Sequence, residues 1–273
     1  MGTKHVVWGS LFLVALFTAS AGFAVIVSGS DSAGFQSWDA RDLNHNGKPY
    51  WDNKSLDGAT KQQQKKNNVG YNLVDESPIP LDDAPGVLPY WGKAKGKKKD
   101  GGNADLNFFF QGDVSTNAAT LKLEMDPAAN IDEFGWYDKS DPSVLHPVFL
   151  GADSPITNAV FTPGAQYGLY LKRADQATFY TESYLNPFKD RSHQHFVVFQ
   201  ESATPGAEVY WIGIENRTRL ELKNKEGGLG DYNDMLIRIS TASIPLPVPE
   251  PSAAFLVLSG TSLILVLLNR QRK

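Results

Sequence analysis

The sequence predicts an all-β fold, a β-sandwich of jelly-roll type, from three observations. The middle of the chain holds many short segments rich in aromatic and β-branched residues, separated by Gly, Pro, Asn and Asp. No stretch between the two terminal segments has the apolar spacing and caps of an amphipathic helix. No repeat of fixed period occurs, which argues against a propeller or a solenoid. The predicted strands are residues 108–110, 120–125, 134–137, 159–162, 168–172, 178–180, 195–200, 208–214 and 235–240.

Side-chain patterns distinguish half-buried strands from central ones. Residues 120–125 alternate between apolar and charged or polar side chains, as in a strand with one buried face. Residues 195–199 and 209–214 are largely apolar on both faces, so we expect them at the centre of the sandwich.

Composition sets the broad class of the protein. With 273 residues, 41% of them hydrophobic, the chain can bury a sizeable core. The formal net charge is -4, so nucleic-acid binding is not expected as a main role. The absence of cysteine excludes disulfides, thiol catalysis, thiolate zinc sites and iron–sulfur clusters.

Residues 1–21 have the features of a secretory signal peptide. A short basic start at Lys4 is followed by the apolar residues 6–17 and by a small-residue cleavage pattern at 19–21. We expect cleavage after residue 21. Cleavage after Ala24, or retention of the segment as an anchor, stays open because apolar residues continue beyond that point.

Residues 22–66 are polar and rich in Gly, Asn and Asp, so we expect a loop or loosely ordered arm before a domain at 67–244. Within the arm, residues 42–47 match the first six positions of a calcium-binding loop. The match ends there, because the twelfth position is Asn53 where a bidentate Glu is needed, with Asp52 one place early. We therefore interpret the stretch as an Asx-rich turn without an ion.

The end of the chain has three parts in a fixed order. Pro249, Glu250 and Pro251 form an extended segment, because proline lacks an N–H group and fixes φ. The uncharged apolar run at 253–268 gives roughly 24 Å of helix, slightly short of the hydrocarbon core of about 30 Å. The basic residues at 270–273 are expected in the cytoplasm, which places the prolines at the outer face of a membrane.

This tail resembles the PEP-CTERM sorting signal of bacterial surface proteins. The resemblance implies that residues 245–273 are read by an exosortase, a membrane-embedded protease or transpeptidase, which removes the transmembrane helix. The protein would then occupy the inner membrane only transiently, before it reaches the cell surface or extracellular matrix. A permanent single-pass anchor is the alternative, although such anchors normally have about 20 apolar residues. The residues expected to be read by the exosortase are Val248, Pro249, Glu250 and Pro251.

A glycine-rich loop at residues 227–230 precedes the last predicted strand and continues as Asp-Tyr-Asn-Asp at 231–234. Together with residues 210–215 and 134–138, it resembles a β-domain of unassigned function found in PEP-CTERM proteins and other bacterial surface proteins. The chain differs from that pattern by a longer and more basic insertion at 216–225.

The loop also supplies candidate metal ligands. Asp231, Asn233 and Asp234 place oxygen side chains within four residues, and strand pairing is expected to bring Glu215 near them. Calcium takes six to eight oxygens, so loop carbonyls and water would complete a structural calcium site. Asx turns that fix the loop without an ion are the other interpretation, and both stay open.

Two histidines and the catalytic motifs bear on enzymatic function. His193 and His195 lie two apart in a strand and would suit zinc together with a carboxylate, but no third ligand can be identified. We therefore interpret them as solvated side chains at the start of a core strand.

The sequence contains no motif of serine hydrolases, penicillin-binding enzymes, zinc proteases or phosphate loops, and a non-catalytic protein is predicted.

Together these features predict an exported bacterial surface or extracellular-matrix protein with a non-catalytic structural or binding β-domain. The family resemblance implies exopolysaccharide, as in a biofilm matrix, as the partner. A carbohydrate-binding module is one alternative, which exposed Trp91, Trp136 or Trp211 would support. A glycosidase-like hydrolase is another, and it would need two carboxylates about 5 to 10 Å apart in a cleft.

Overall fold

A computed structural model describes the central part of the chain. The residues described are 25–30, 33–44, 49–52, 68–78, 81–93, 106–112, 117–124, 132–150, 157–175, 177–191, 193–205, 207–218 and 230–241. The predicted signal peptide at 1–21 and the predicted sorting signal at 245–273 lie outside these residues, and so do its helix at 253–268 and its motif at 248–251.

The described residues form two antiparallel β-sheets with a common core, which confirms the predicted all-β class and sandwich architecture. In spatial order, the first sheet contains β1 (Ile26–Gly29), β4 (Phe108–Gln111), β9 (Gln166–Lys172), β6 (Glu133–Asp138) and β7 (Asp141–Leu150), and β10 (Thr178–Tyr180) pairs with β9. The second contains β2 (Ala33–Gln36), β3 (Tyr90–Lys93), β11 (Phe196–Ser202), β12 (Val209–Ile214), β13 (Met235–Ser240), β5 (Asn117–Glu124) and β8 (Asn158–Phe161).

Strand β12 occupies the middle of the second sheet, with β11 on one side and β13 on the other. All its residues are buried. Tyr210 on one face meets the opposite sheet, and the ring of Trp211 on the other face lies against Glu201 and Lys122. The ladder places Ile212 between Val198 and Ile237. Across the two sheets, the ring of Phe110 packs against Tyr210 with centroids 5.5 Å apart. The predicted central position of residues 195–199 and 209–214 is confirmed.

The loop or loosely ordered arm predicted at residues 22–66 contains two strands, so that prediction is corrected. β1 and β2 lie within it, each at the outer edge of a sheet. Trp38 and Trp51 of the same stretch are buried in the core. Strands of four residues are too short for alternation to distinguish them from loop. The sandwich therefore begins before residue 67.

One short helix, α1 (Val69–Leu73), also differs from the prediction of no helix in the domain. All five of its residues are buried, and Asn68 caps its start by accepting hydrogen bonds from the N–H groups of Gly70 at 3.0 Å and Tyr71 at 3.3 Å. A single turn is too short to show an apolar stripe. No helix among the described residues is long and apolar enough to cross a membrane.

The chain enters and leaves the sandwich at the same end. The hydroxyl of Tyr210 donates to the carbonyl of Val25 at 2.7 Å, and the N–H of Thr241 donates to the carbonyl of Glu208 at 2.9 Å. Both ends therefore lie beside the start of β12, and we call this the terminal end. Strand β12 spans about 20 Å at about 3.3 Å per residue. We call the opposite end, beyond Ile214, the far end.

Candidate functional site at the far end of the sandwich

Four side chains singled out in the sequence lie together at the far end. Glu215 directly follows β12, and Asp231, Asn233 and Asp234 directly precede β13, the antiparallel partner of β12. Antiparallel neighbours finish and start at a common edge, so pairing brings the four residues together. All four are buried, with exposed fractions of 1%, 5%, 3% and 6% respectively. We call Glu215, Asp231 and Asp234 the acidic cluster.

Backbone amides bind the carboxylates of the acidic cluster. Glu215 Oε2 accepts the N–H of Asp231 at 3.2 Å, and its Oε1 accepts the N–H of Arg217 at 3.1 Å. Asp234 Oδ2 accepts the N–H of Asn216 at 2.8 Å. These bonds fold the residues after β12 onto the residues before β13.

Burial and like charge act together on Glu215. Loss of water raises the pKa of the Glu215 carboxyl well above its ordinary value, and the charges of Asp234 and then Asp231 raise it further. A side-chain hydrogen bond with Asp234 favours the protonated form as well. These effects favour a proton shared between Glu215 and Asp234, and a cation bound there would offset the same repulsion.

The backbone of the loop is shaped to this cluster. A Cβ atom at Gly230 would lie 1.5 Å from Glu215 Oε2, so only glycine fits beside the carboxylate. Tyr232 has φ of 55°, in the left-handed region that a bulky residue rarely adopts. Its side chain is fully buried and its hydroxyl donates to the carbonyl of Gln194 at 2.6 Å, which offsets that strain.

Asp132 and Asn216 extend the site towards the other sheet, and sequence reasoning missed both. Asn216 Nδ2 donates to Asp132 Oδ2 at 3.3 Å, and the N–H of Ala174 donates to Asp132 Oδ1 at 3.1 Å. Arg173 also donates to the carbonyl of Asn216 at 3.0 Å. Asp132 directly precedes β6, and this position beside a predicted strand was the one signal available. Nothing in the spacing linked it to residue 216.

The expectation that His193 and His195 are solvated is wrong. Their exposed fractions are 1% and 0%, and Asp190, which is 3% exposed, lies beside them. The segment that carries all three connects β10 to β11 and enters β11 at the far end, where Phe196 pairs with Ile214. Their burial follows from packing of the two sheets, since the ring of Phe179 in the first sheet stacks on His195 with centroids 3.7 Å apart.

The tryptophans proposed as a carbohydrate platform are mostly inside the protein. Trp91 is 9% exposed and Trp211 is 1% exposed. Trp136 is partly buried and stacks on His146 with centroids 4.0 Å apart. Two of the three rings are therefore closed to a sugar, which counts against a binding module built on these residues.

The stretch that resembles a calcium loop is held by Asp52. The Asp52 side chain is buried, and its carboxylate accepts the N–H of Asn44 at 3.2 Å and Nδ2 of Asn68 at 2.9 Å. These bonds connect the turn to the cap of α1. Residues 45–48 and 53 of the stretch lie outside the described part of the chain.

The acidic cluster has the donor atoms of a calcium site, because carboxylate and amide oxygens are the ligands that calcium prefers. Within the ranges that the structure describes, no group of three or more His, Asp or Glu side chains stands in a metal-binding arrangement. Calcium at Glu215, Asp231, Asn233 and Asp234 therefore stays a prediction.

No protein family and no curated protein matches the sequence, so the resemblances of the tail and of the glycine-rich loop stay predictions. Several solved structures are partly similar, and two of them are lectins. A lectin of Chromobacterium violaceum in complex with α-methyl-fucoside is 12% identical, with a TM-score of 0.28, covering 47% of this chain and 88% of the lectin. The C-terminal domain of the BC2L-C lectin from Burkholderia cenocepacia is 16% identical, with a TM-score of 0.30, covering 48% of this chain and 91% of that domain. Similarity at this level carries no information on what this chain binds.

Glu215→Gln is expected to change how stability depends on pH. Because the pKa of Glu215 is raised in the folded protein, the stability it contributes is fully present below the ordinary value of 4.5 and is lost as pH rises through the raised value. Glutamine cannot ionise, so in the presence of a chelator the variant should lose less stability than the wild type as the pH is raised above 4.5. Urea unfolding at each pH measures the difference.

Glu201→Gln is the matched control. The pKa of Glu201 is lowered by hydrogen bonds from Arg238 and Trp211 despite its partial burial, so this change should not reduce the loss of stability at high pH. Equal pH slopes for the wild type and Glu215→Gln would contradict the shared-proton description of the acidic cluster.

Proposed function

We propose that this chain is an exported bacterial surface or extracellular-matrix protein, sorted by an exosortase, whose β-sandwich has a non-catalytic binding or structural role towards exopolysaccharide. The observation that carries the proposal is that the two ends of the sandwich differ. Val25 and Thr241 lie at the terminal end, while the acidic cluster and the loop before β13 lie at the far end.

This difference between the two ends suits a domain that is exported and sorted by signals at its two termini. The segments with the predicted export and sorting signals both join the sandwich at the terminal end. A domain attached there during sorting would present the far end away from the inner membrane. The loop that resembles surface-protein domains would therefore face the matrix, where exopolysaccharide is encountered.

We further propose that calcium occupies the acidic cluster in the exported protein. Three buried carboxylates are costly to ionise together, and a divalent cation offsets both the loss of water and the mutual repulsion. Asn233 and loop carbonyls would add neutral oxygens. In a chain without cysteine, such an ion takes the place of a disulfide in holding the loop before β13.

A carbohydrate-binding module is the second candidate, supported by two exposed aromatic rings outside the tryptophan set. Phe188 is 85% exposed and Tyr184 is 52% exposed, both on the connection between β10 and β11. Aromatic faces of this kind stack on sugar rings through their apolar surface. The hydroxyl of Tyr184 donates to Glu182 at 3.0 Å, which holds that ring in place.

Calcium is expected to raise the melting temperature of the purified full chain, and a chelator to lower it again. Asp231→Asn and Asp234→Asn should each abolish the calcium response without lowering stability in chelator, since each removes one buried negative charge and keeps the shape of the side chain. Asp141→Asn, at an exposed position, is the control and should respond like the wild type. An identical melting temperature with calcium and with chelator would refute the calcium site.

Processing by an exosortase predicts a defined change of mass. Co-expression with an exosortase should yield a released form that lacks residues 253–273, while the chain expressed alone should keep them. Replacement of Pro249 and Pro251 by alanine should prevent release, because the segment would no longer be held extended. Intact-mass spectrometry distinguishes the forms. A released wild-type protein that still contains residues 253–273 would contradict sorting.

Binding to exopolysaccharide can be measured by co-sedimentation with matrix polysaccharide purified from an exosortase-bearing bacterium. We expect the wild type to sediment with it and Phe188→Ala to do so several-fold less if the exposed rings form the binding surface. Phe188→Ala should fold normally because the ring is 85% exposed. Equal sedimentation of wild type and variant would exclude a binding surface that contains Phe188. No sedimentation of the wild type would exclude exopolysaccharide as the partner.

A further inference from the structure

A second group of buried polar side chains lies at the far end, on the segment that leads into β11. We propose that Asp190, His193 and His195 form a binding site for a divalent transition-metal ion of the Zn²⁺ class. Their exposed fractions are 3%, 1% and 0%. Buried polar groups need hydrogen bonds or an ion to compensate for the water they lose. This site does not depend on the function proposed above.

The ring of His195 is held in one orientation. Nδ1 lies 2.9 Å from the carbonyl oxygen of Glu215, and the ring stacks on Phe179. A carbonyl oxygen can only accept a hydrogen bond, so Nδ1 carries a proton. When the ring is neutral, Nε2 therefore carries the lone pair. Nε2 is fully buried and has no hydrogen-bond partner. This atom is therefore available as a metal ligand.

A carboxylate oxygen faces that lone pair. Asp190 Oδ1 lies 3.6 Å from His195 Nε2, which is too long for a hydrogen bond. A positive charge between the two atoms stabilises this arrangement, and either a proton on Nε2 or a metal ion can supply it. The separation is too long for a good N–H···O hydrogen bond, so a proton would be used poorly there. Zinc binds histidine nitrogen at about 2.0 to 2.1 Å and carboxylate oxygen at about 2.0 to 2.2 Å, so two ligands of one tetrahedral ion are about 3.4 Å apart. The observed separation is close to that value.

The surroundings of His195 also match those of a metal-binding histidine. Such histidines commonly donate the other ring N–H to a backbone carbonyl, which fixes the tautomer and makes the ligating nitrogen more basic. In this protein, the carbonyl of Glu215 accepts that hydrogen bond. Imidazole nitrogen favours zinc and related transition metals over calcium, so this site differs in chemistry from the acidic cluster.

His193 supplies the third ligand. Its ring centroid lies 4.7 Å from that of His195, with the two planes perpendicular. Its backbone is held beside that of Asp190, because its N–H donates to the carbonyl of Asp190 at 2.8 Å and its own carbonyl accepts Nδ2 of Asn186 at 3.0 Å. No three side chains of the described ranges already stand as a complete metal site, so the His193 ring has to turn onto the ion. Three protein ligands leave a fourth position for water.

The test uses the full chain without a histidine tag, purified in mild detergent and stripped with a chelator. Zinc affinity is measured by competition with a chromogenic chelator, and Co²⁺ serves as a second probe because tetrahedral cobalt absorbs visible light far more strongly than the hydrated ion. We expect one zinc per chain and a tetrahedral cobalt spectrum. Asp190→Asn and His195→Gln should each weaken zinc binding at least about tenfold and abolish that spectrum.

His146→Gln is the matched control, since His146 lies outside the cluster against Trp136 and should leave zinc binding unchanged. Near-ultraviolet circular dichroism checks that each variant is folded. Asp190→Asn keeps the shape of the side chain and decides the question if His195→Gln does not fold. The proposal is overturned if the wild type takes up no zinc, or if zinc affinity and the cobalt spectrum are the same in wild type, Asp190→Asn and His195→Gln. The calcium response of the acidic cluster is measured separately, so either result stands without the other.

Discussion

The pairing of β12 with β13 is the interaction on which the rest of the structure depends. It places a fully buried strand in the middle of one sheet, where Tyr210 meets the opposite sheet. At its far end, it brings Glu215 against Asp231 and Asp234. The same loop reaches α1, since the carbonyl of Asp231 accepts the N–H of Val69 at 2.9 Å. A change in this register would therefore alter the core, the acidic cluster and the helix together.

Glu215 connects the two groups of buried polar side chains at the far end. Its carboxylate belongs to the acidic cluster, while its backbone carbonyl fixes the ring of His195. The two groups differ in the ion they suit, because one offers carboxylate oxygens and the other offers imidazole nitrogen with one carboxylate. Sharing one residue makes each group sensitive to the position of the other.

The arrangement of the ends gives the sandwich a direction. Bonds from Tyr210 and Thr241 hold the entry and exit of the chain beside the start of β12. The acidic cluster and the buried histidines are about one strand length away, at the far end. In the function proposed above, the two ends of the domain would have different tasks, attachment at one end and ion or ligand contact at the other.

Local pattern determined the class of the fold and its centre. Short aromatic and β-branched segments predicted strands. The apolar run at 209–214 predicted the central strand, because a strand that is buried on both faces has apolar side chains at successive positions. The nearness of Glu215 to Asp231 was also predictable, since it follows from pairing of neighbouring strands. The edge strands β1 and β2 were missed because four residues carry too little periodicity, and α1 because one turn does.

Only the tertiary structure decided which distant residues meet. Asp132 contacts Asn216 across 84 positions of sequence, and the hydrogen bond from the N–H of His193 to the carbonyl of Asp190 helps to bring Asp190 back towards His195. Burial of His193, His195 and Trp211 likewise depends on how the two sheets pack. A single sequence records which side chains are available, whereas loop closure and sheet packing determine which of them lose their water together. That loss of water is what turns ordinary carboxylates and imidazoles into candidate ion sites.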